Sequence, residues 1–458
     1  MLELIIIIGY FLGIIAIGLW KRKKTKEADD FFVAGRRGSS LFITGSLLAT
    51  IVGGSAIMVT SKLGYIQGLT GVWWLLVGSI GLVFLGIFLA KKVREYGLYT
   101  LPELVEKQYD KRVALAGSIV IVIAWVGVIG AQIIAAGSIM GILGIGSPLL
   151  WMVIFTVVFV IYTLLGGQNA IIRTDTIQSV IIFAGIFGAL FMLSSKIGGL
   201  GGMIDKLPAE QLAFPISSTF NGYELVKILL LVGLTYVVGP DMYSRLFCAK
   251  DSKVAKKSVL WAALLIVPVA LAITAIGMGA SVLFPDISPV QAFPTIIKEI
   301  LPPFLGGIVL AALLCAFMSS ADTTLLTTST IFSVDIVGQL KPSLSRDRVL
   351  VISRWGIVIL GAASLVLALY MGDIVNAILF AFTVYTGGLI MPILIGFYKD
   401  RVKVTPFGAL VAIGGGGGTA LVSKMLNIKY LDLGSLFISL VLLLAVSYID
   451  NRIKATKE

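Results

Sequence analysis

The sequence predicts an all-α polytopic membrane protein with thirteen transmembrane helices and a five-plus-five inverted repeat. Composition, alternating basic loops and two interrupted spans support this fold. Of the 458 residues, 58% are hydrophobic and 13% are charged, and the mean hydropathy is +1.02. Soluble domains carry about 25% charged residues. Hydrophobic spans use nearly the whole length, so we predict no soluble domain of useful size.

Thirteen hydrophobic segments are each long enough to cross a bilayer as a helix. The first ends at Trp20 and lacks the positive n-region and small-residue cleavage site of a signal peptide, so we expect it to be retained. The predicted spans are 2–20, 41–64, 71–92, 113–144, 149–167, 175–196, 223–246, 258–284, 304–335, 350–371, 374–397, 405–424 and 431–449.

Every second loop between these spans is basic. Short loops rich in Lys and Arg stay in the cytoplasm, which predicts a multi-pass plasma-membrane protein with an extracellular N-terminus and a cytoplasmic C-terminus. The net charge of +12 comes from these loops, so nucleic-acid binding is not predicted. The basic loops are Lys21-Arg22-Lys23-Lys24, Lys91-Lys92-Val93-Arg94, Arg173, 245–257, 341–354 and Lys399–Lys403.

The sequence lacks histidine, and its two cysteines, Cys248 and Cys315, fall in different spans. This removes the commonest general base and the commonest metal ligand, so an intramembrane enzyme is not predicted. A channel is not predicted either, because the sequence has no charge ring and no repeated filter motif. The function class that remains is transport.

Helix-breaking residues interrupt two spans that lie five spans apart, at Gly53-Gly54 and at Gly239-Pro240. Matched interruptions indicate an inverted repeat with its binding site at the breaks. The alternative is that a glycine only permits close helix packing. The predicted segments are 1–40 with a peripheral first helix, 41–198 and 223–397 as the two repeats, 199–222 as an extracellular loop, and 398–458 with two peripheral helices and the cytoplasmic tail.

Residues 311–336 place many hydroxyl groups around one carboxylate, Asp322, inside a hydrophobic span. An intramembrane carboxylate is costly unless it is paired or faces a cavity. Oxygen-only ligands suit a hard cation such as Na⁺. The hydroxyl groups belong to Ser319, Ser320, Thr323, Thr324, Thr327 and Thr328.

Six motifs occur in order along nearly the whole chain. They are DFFVAGRR (30–37), ATIVGGSAIM (49–58), TLPELVEKQYDKR (100–112), YTLLGGQNAIIRTDTIQ (162–178), GPDMYSRLFCAKDSKVAKK (239–257) and AFMSSADTTLL (316–326). With them the chain resembles the sodium/solute symporter family, which includes sodium–proline, sodium–glucose and sodium–sialic acid symporters. The resemblance implies a leucine-transporter-type core of thirteen helices, an outside N-terminus and Na⁺ as the coupling ion.

The resemblance also implies the main sodium site. Its ligands would be the carbonyls of Ala49, Val52 and Ala316 and the hydroxyls of Ser319 and Ser320. A broken helix frees such carbonyls from internal hydrogen bonds. The alternative for the two serines is bonding back to the preceding helical turn. Some relatives carry an acidic or amide side chain where this chain has Ile51, so the implied site is electrically neutral.

A second cation site is implied by Asp175, Asp322 and Thr323. Two facing carboxylates repel each other unless a cation lies between them or one is protonated. The alternative for Asp175 is a helix N-cap or a salt bridge with Arg173.

The solute is expected between the two breaks. A tryptophan that the proline-transporting relatives use is replaced here by Val232, so the resemblance does not identify proline as the solute. The implied site is small and lightly polar, which favours a small amino acid such as proline, or a small carboxylate. The candidate residues are Gly53, Gly54, Ser55, Ala56, Gln132, Tyr236, Gly239 and Pro240.

The predicted function is Na⁺-coupled symport by alternating access, with the solute, Na⁺ and the lipid bilayer as partners and a monomer as the functional unit. The alternative is a proton-coupled symporter on the same fold that uses Asp175 or Asp322.

Overall fold

A computed structural model describes residues 2–22, 27–144, 146–426, 428 and 430–457. These residues form helices, turns and one isolated bridge between Gly38 and Ala249. Lys23 and Lys24 of the first basic loop lie outside the described residues. The first helices are α1 Leu2–Arg22, α2 Ala28–Val33, α3 Ser40–Ile51, α4 Gly54–Gln67, α5 Trp73–Phe84, α6 Ala90–Glu95, α7 Leu101–Gln108, α8 Lys111–Ile142, α9 Pro148–Ile197 and α10 Gly199–Lys206.

The remaining helices continue without a sheet among the described residues. They are α11 Gly222–Ile228, α12 Leu234–Val238, α13 Pro240–Cys248, α14 Ser252–Leu283, α15 Ala292–Thr295, α16 Pro303–Ile331, α17 Gly338–Leu340, α18 Arg346–Met371, α19 Ile374–Tyr385, α20 Met391–Gly396, α21 Lys399–Val402, α22 Pro406–Met425 and α23 Leu431–Lys457.

Ten helical runs among the described residues are long and apolar enough to cross a membrane. Two of them, Gly54–Glu95 with 42 residues and Pro148–Ile197 with 50, are long enough for two crossings each. Each of these runs contains a glycine with positive φ, Gly68 at 65° and Gly167 at 56°. The count of thirteen spans stays a prediction.

The first predicted break is present between α3 and α4. Val52 leaves helical geometry with φ −83° and ψ 46°, and Gly53 is extended with φ −67° and ψ 162°. A Cβ atom at Gly53 would overlap Ser320, and one at Gly54 would overlap the Phe317 ring. Both interpretations of the glycine pair therefore apply, because the pair breaks the helix and also allows the close packing of the break against α16.

The second predicted break is present between α12 and α13. Gly239 is extended, with φ −69° and ψ 138°, and Pro240 is the first residue of α13. Proline suits this position because the first helical N–H has no partner within the helix. A new helix therefore begins in the middle of the seventh predicted span, as it does in the second.

Helix α16 forms the centre of the molecule. All its residues from Leu313 to Ile331 are buried, and it packs against α9, α8, α3 and α1. The hydroxyl-rich face predicted around Asp322 therefore meets other helices and not lipid. Helices α22 and α23 pack mainly on each other, as expected of peripheral helices, while the boundaries of the two repeats stay a prediction.

Candidate functional site

The hydroxyls of Ser319 and Ser320 meet the end of α3. Ser319 Oγ donates to the Ala49 carbonyl at 2.7 Å and also lies 3.3 Å from the Ala316 carbonyl on its own helix. Ser320 Oγ donates to the Thr50 carbonyl at 2.8 Å. Both serines therefore connect α16 to α3. The hydrogen bond to the preceding turn of the same helix, which was the alternative for these serines, is present only as the longer contact of Ser319 with the Ala316 carbonyl.

The break leaves α3 carbonyls without helical partners. The last backbone bond of α3 runs from the Val52 N–H to the Leu48 carbonyl at 2.8 Å, and α4 resumes with the Ile57 N–H on the Gly53 carbonyl at 3.0 Å. The carbonyls between these two bonds are free to face α16. Three of the five predicted sodium ligands, Ala49, Ala316 and Ser319, meet directly, and the Thr50 carbonyl is an oxygen that was not predicted.

This group of oxygens carries no formal charge and is fully desolvated. Ala49, Val52, Ala316 and Ser319 are completely buried, and Ser320 is 3% exposed. Carbonyl and hydroxyl oxygens favour hard cations over transition metals. The arrangement therefore suits a monovalent cation that inserts between α3 and α16 and takes over the present serine–carbonyl bonds.

Asp175 lies inside α9 and pairs with Arg245 of α13. The closest nitrogen of Arg245 is 3.6 Å from Asp175 Oδ2, and both side chains are fully buried. Ser46 Oγ donates to the same carboxylate oxygen at 2.5 Å. The alternatives of an N-cap and of a salt bridge with Arg173 are both wrong for Asp175, and Arg173 instead lies 5.7 Å from the centre of the Phe42 ring.

The Arg245 guanidinium connects four helices. It donates to Ser46 at 3.2 Å and Thr50 at 2.8 Å on α3, and to Thr323 on α16. Thr323, which was predicted as a cation ligand, thus accepts a hydrogen bond from the positively charged side chain of Arg245. Arg245 was missed because it stands at the edge of a basic loop in the sequence, where an arginine is ordinary.

Asp322 is fully buried, and neither of its carboxylate oxygens has a partner with full hydrogen-bond geometry among the described residues, although the adjacent Thr323 lies close to this carboxylate. The second oxygen of Asp175 also lacks such a partner. Two carboxylates and one guanidinium leave one formal negative charge in this buried cluster. By charge, it can still accept one monovalent cation or one proton.

A cavity that is partly open to solvent lies beside the α3–α16 oxygens; with its open space included, its volume is about 680 Å³. Six of the eight predicted solute residues line it: Gly53, Ser55, Ala56, Gln132, Tyr236 and Gly239. Gly54 packs on Phe317, and Pro240 lines a separate small pocket with Phe32 and Tyr99. The lining residues that were not predicted to contact the solute are Thr50, Ile51, Trp74, Trp125, Val128, Val232, Thr235, Asp241, Met242, Ser320, Thr324, Ile378 and Phe382, of which Ser320 was predicted as a sodium ligand.

Gln132 caps the start of α4. Its Oε1 accepts the Ser55 N–H at 3.1 Å, and its Nε2 donates to Ser55 Oγ at 2.6 Å. The polar candidates on α8 and α4 therefore satisfy each other and hold the broken helix in place.

Segments that carry basic residues are joined at one end of the molecule. Arg36 donates to the Gly97 carbonyl at 2.8 Å and Arg94 to the Ala249 carbonyl at 2.5 Å. The Gly38 N–H donates to the Cys248 carbonyl at 2.9 Å. These contacts join three predicted cytoplasmic regions to one another.

Sequence comparison identifies the group of proteins that this chain is similar to. The sequence model of the sodium:solute symporter family matches residues 31–416. Among curated relatives, a sodium/glucose cotransporter of Vibrio parahaemolyticus is 25% identical, covering 90% of this chain and 83% of its own. A sodium/pantothenate symporter of Haemophilus influenzae is 26% identical, covering 99% and 96%. The osmoregulated proline transporter of Bacillus subtilis is 25% identical, covering 92% and 88%.

A solved structure of a Na⁺-coupled sialic acid symporter, in a substrate-bound outward-open state, superposes with a TM-score of 0.84 over 98% of both chains at 19% identity. This similarity concerns the fold. It confirms the prediction of an all-α membrane protein with a leucine-transporter-type core.

The ionic cluster gives a stability prediction. Arg245→Gln leaves two buried carboxylates without their guanidinium and should destabilise the protein by about 3–5 kcal/mol. Adding Asp175→Asn removes one of those charges and should recover part of the loss. Thermal unfolding of the purified single and double variants measures both effects.

The control is Arg348→Gln, since Arg348 is exposed at the start of α18 and such changes stay within about 0.5 kcal/mol. Strictly additive losses in the double variant would contradict the pairing of Asp175 with Arg245.

Proposed function

Because this chain belongs to the sodium:solute symporter family, we propose that it carries a small organic solute together with Na⁺, the solute being an amino acid such as proline or a small carboxylate. The chain is a multi-pass membrane transporter and not an enzyme, and Na⁺ is its coupling ion. The identity of the solute and the residues that bind the ion are what we propose here.

The proposed sodium ligands are the carbonyls of Ala49, Val52 and Ala316 and the hydroxyls of Ser319 and Ser320. The observation that carries this assignment is the 2.7 Å contact of Ser319 with the Ala49 carbonyl across the α3 break. A hydroxyl can turn its lone pairs toward a cation and release the carbonyl to do the same. Na⁺ would therefore replace direct α3–α16 hydrogen bonds with ion–oxygen contacts.

Ion and solute binding are coupled by shared residues. Thr50, Gly53 and Ser320 line the solute cavity and also belong to the α3–α16 contact. Sodium binding fixes the break against α16 and so fixes one wall of the cavity. Each Na⁺ that moves inward gains about 2.3 kcal/mol per 100 mV of membrane potential, which supports roughly forty-fold accumulation of solute.

We propose that Asp322 and the free oxygen of Asp175 bind a second monovalent cation, with Arg245 neutralising the other negative charge. The three oxygens without partners and the residual charge of the cluster support this site. Family membership favours Na⁺ over the proton of the alternative coupling scheme. Thr323 is the third proposed member of this site, and its hydroxyl oxygen also accepts a hydrogen bond from Arg245.

The proposed orientation has the N-terminus outside, the C-terminus in the cytoplasm and a monomer as the functional unit in the plasma membrane. The contacts of Arg36 and Arg94 join segments that the charge distribution assigns to the cytoplasm. This supports a conformation that is closed on the cytoplasmic side, with the solute cavity on the extracellular side of that closure.

Transport in proteoliposomes tests the proposal. With a panel of labelled amino acids and monocarboxylates at fixed pH, accumulation should occur with an inward NaCl gradient and not with KCl. Ser319→Ala and Ser320→Ala should each raise the Na⁺ concentration for half-maximal uptake roughly 10- to 100-fold, because a hydrogen-bonding group on an ion contributes about 1.5–3 kcal/mol.

The matched control is Ser281→Ala, whose hydroxyl bonds only within its own helix to the Met278 carbonyl; its Na⁺ dependence should equal that of the wild type. Unchanged Na⁺ dependence in both site variants would refute the ligand assignment. Accumulation in KCl that follows an imposed pH gradient would refute sodium coupling.

The second cation gives a separate prediction. The Hill coefficient for Na⁺ in initial uptake should be close to two in the wild type and about one in Asp322→Asn, since it approaches the number of coupled sites. Asp286→Asn, an exposed position, is the control. A wild-type coefficient of about one, unchanged by Asp322→Asn, would refute the second site.

A further inference from the structure

We infer that the solute carries a positively charged nitrogen, and that Asp241 binds it from within the aromatic part of the cavity. This inference rests on the proposed function and narrows its solute class. It selects amines and zwitterionic amino acids over simple carboxylates.

Asp241 is the second residue of α13 and follows the break at Gly239. Its side chain lines the cavity, and the residue is only 8% exposed. Oδ2 accepts the Trp125 indole N–H at 2.8 Å. Oδ1 has no partner with full hydrogen-bond geometry among the described residues, although the Thr324 side chain lies close to this carboxylate. A carboxylate oxygen that is desolvated and unpaired is expensive, so a ligand that supplies a donor there is stabilised.

The neighbouring Arg245 does not form a hydrogen bond with Asp241 Oδ1. Arg245, one turn along α13, reaches only the backbone carbonyl of Asp241, at 3.4 Å. Its other hydrogen bonds and its ion pair go to Ser46, Thr50, Ser244, Thr323 and Asp175. No Lys or Arg is among the described residues that line the cavity. Arg245 attracts the Asp241 carboxylate electrostatically from outside this lining, so the cavity side of the carboxylate has no cationic side chain.

Aromatic side chains surround the same space. Trp74, Trp125, Tyr236 and Phe382 line the cavity, and Trp125 is held by an edge contact with Tyr385 at 4.7 Å between ring centres. Aromatic faces attract ammonium groups, most strongly where water is excluded. A carboxylate together with several rings is a binding environment for a cationic nitrogen.

Two hydrogen-bond donors of the cavity are engaged within the protein. The Gln132 amide is bound to Ser55 and the Trp125 N–H to Asp241, whereas the Trp74 indole and the Tyr236 hydroxyl also line the cavity. A solute with a carboxylate alone would be repelled by the negative charge of Asp241, which no cationic side chain of the lining offsets. A zwitterion can instead place its ammonium group at Asp241 and its carboxylate toward the sodium side, where Thr50 and Ser320 lie.

Paired ligands of similar shape test the inference. The probes are L-proline against cyclopentanecarboxylate, 2-aminoisobutyrate against pivalate, and choline against 3,3-dimethylbutan-1-ol. Binding to the purified wild-type protein is measured by thermal shift in NaCl and in KCl. The amine-bearing member of at least one pair should bind at least about tenfold more tightly than its partner.

Asp241→Asn keeps an acceptor for Trp125 and removes the charge, so it should abolish this preference, whereas Asp241→Glu should retain much of it. Asp205→Asn, an exposed position on α10, is the control and should bind as the wild type does. The unliganded melting temperature of Asp241→Asn shows whether it is folded, and Asp241→Glu provides the readout if it is not.

Equal binding within every pair, or a preference that survives Asp241→Asn, would overturn the inference. Binding of neither member of any pair would overturn it as well. Loss of the sodium requirement is a distinct failure: an amine preference that depends on Asp241 but is the same in KCl would preserve this inference and refute sodium coupling.

Discussion

The structure depends on one constraint, that backbone groups within a membrane must find partners inside the protein. The chain breaks helices at Val52–Gly53 and at Gly239, and each break frees backbone groups in the interior. At the first break, Ser319 and Ser320 of α16 satisfy the freed carbonyls. Because those partners are hydroxyls, the same oxygens can instead surround a cation, which is why we propose the sodium site at this break.

A second consequence is electrostatic. Arg245 lies on α13, the helix that follows the second break, and its side chain contacts α3, α9 and α16. Both breaks are therefore tied to one buried charge cluster, and any ion that changes the charge near Asp175 or Asp322 acts on both. The solute cavity lies against this arrangement, with Asp241 one helical turn before Arg245. In the proposed scheme, the solute contacts the start of α13 at Asp241, and Arg245 in the middle of the same helix reaches the charge cluster.

Much of the fold could be predicted from the sequence, because breaks, basic loops and the Ser-Ser pair are local signals. The proposed sodium ligands were implied by the family resemblance, and the structure brings two of them, Ser319 and Ala49, into contact. The partners of Asp175 could not be predicted, since Arg245 is 70 positions away in sequence and resembles a loop residue there. Asp241 and Trp125 were missed for the same reason, because only packing brings an acidic residue of α13 to an indole of α8. Pro240 was predicted to line the solute cavity, but it lines a separate small pocket instead.

The most direct measurement is an experimental density map of the protein in NaCl, compared with one in KCl. The account predicts, in NaCl, a single ion density enclosed by the oxygens of Ala49, Val52, Ala316, Ser319 and Ser320, with the direct Ser319–Ala49 hydrogen bond lengthened. In KCl, that bond should persist and the density should be absent. A map in NaCl that keeps the direct bond, or that shows a continuous helix through Gly53, would contradict the account.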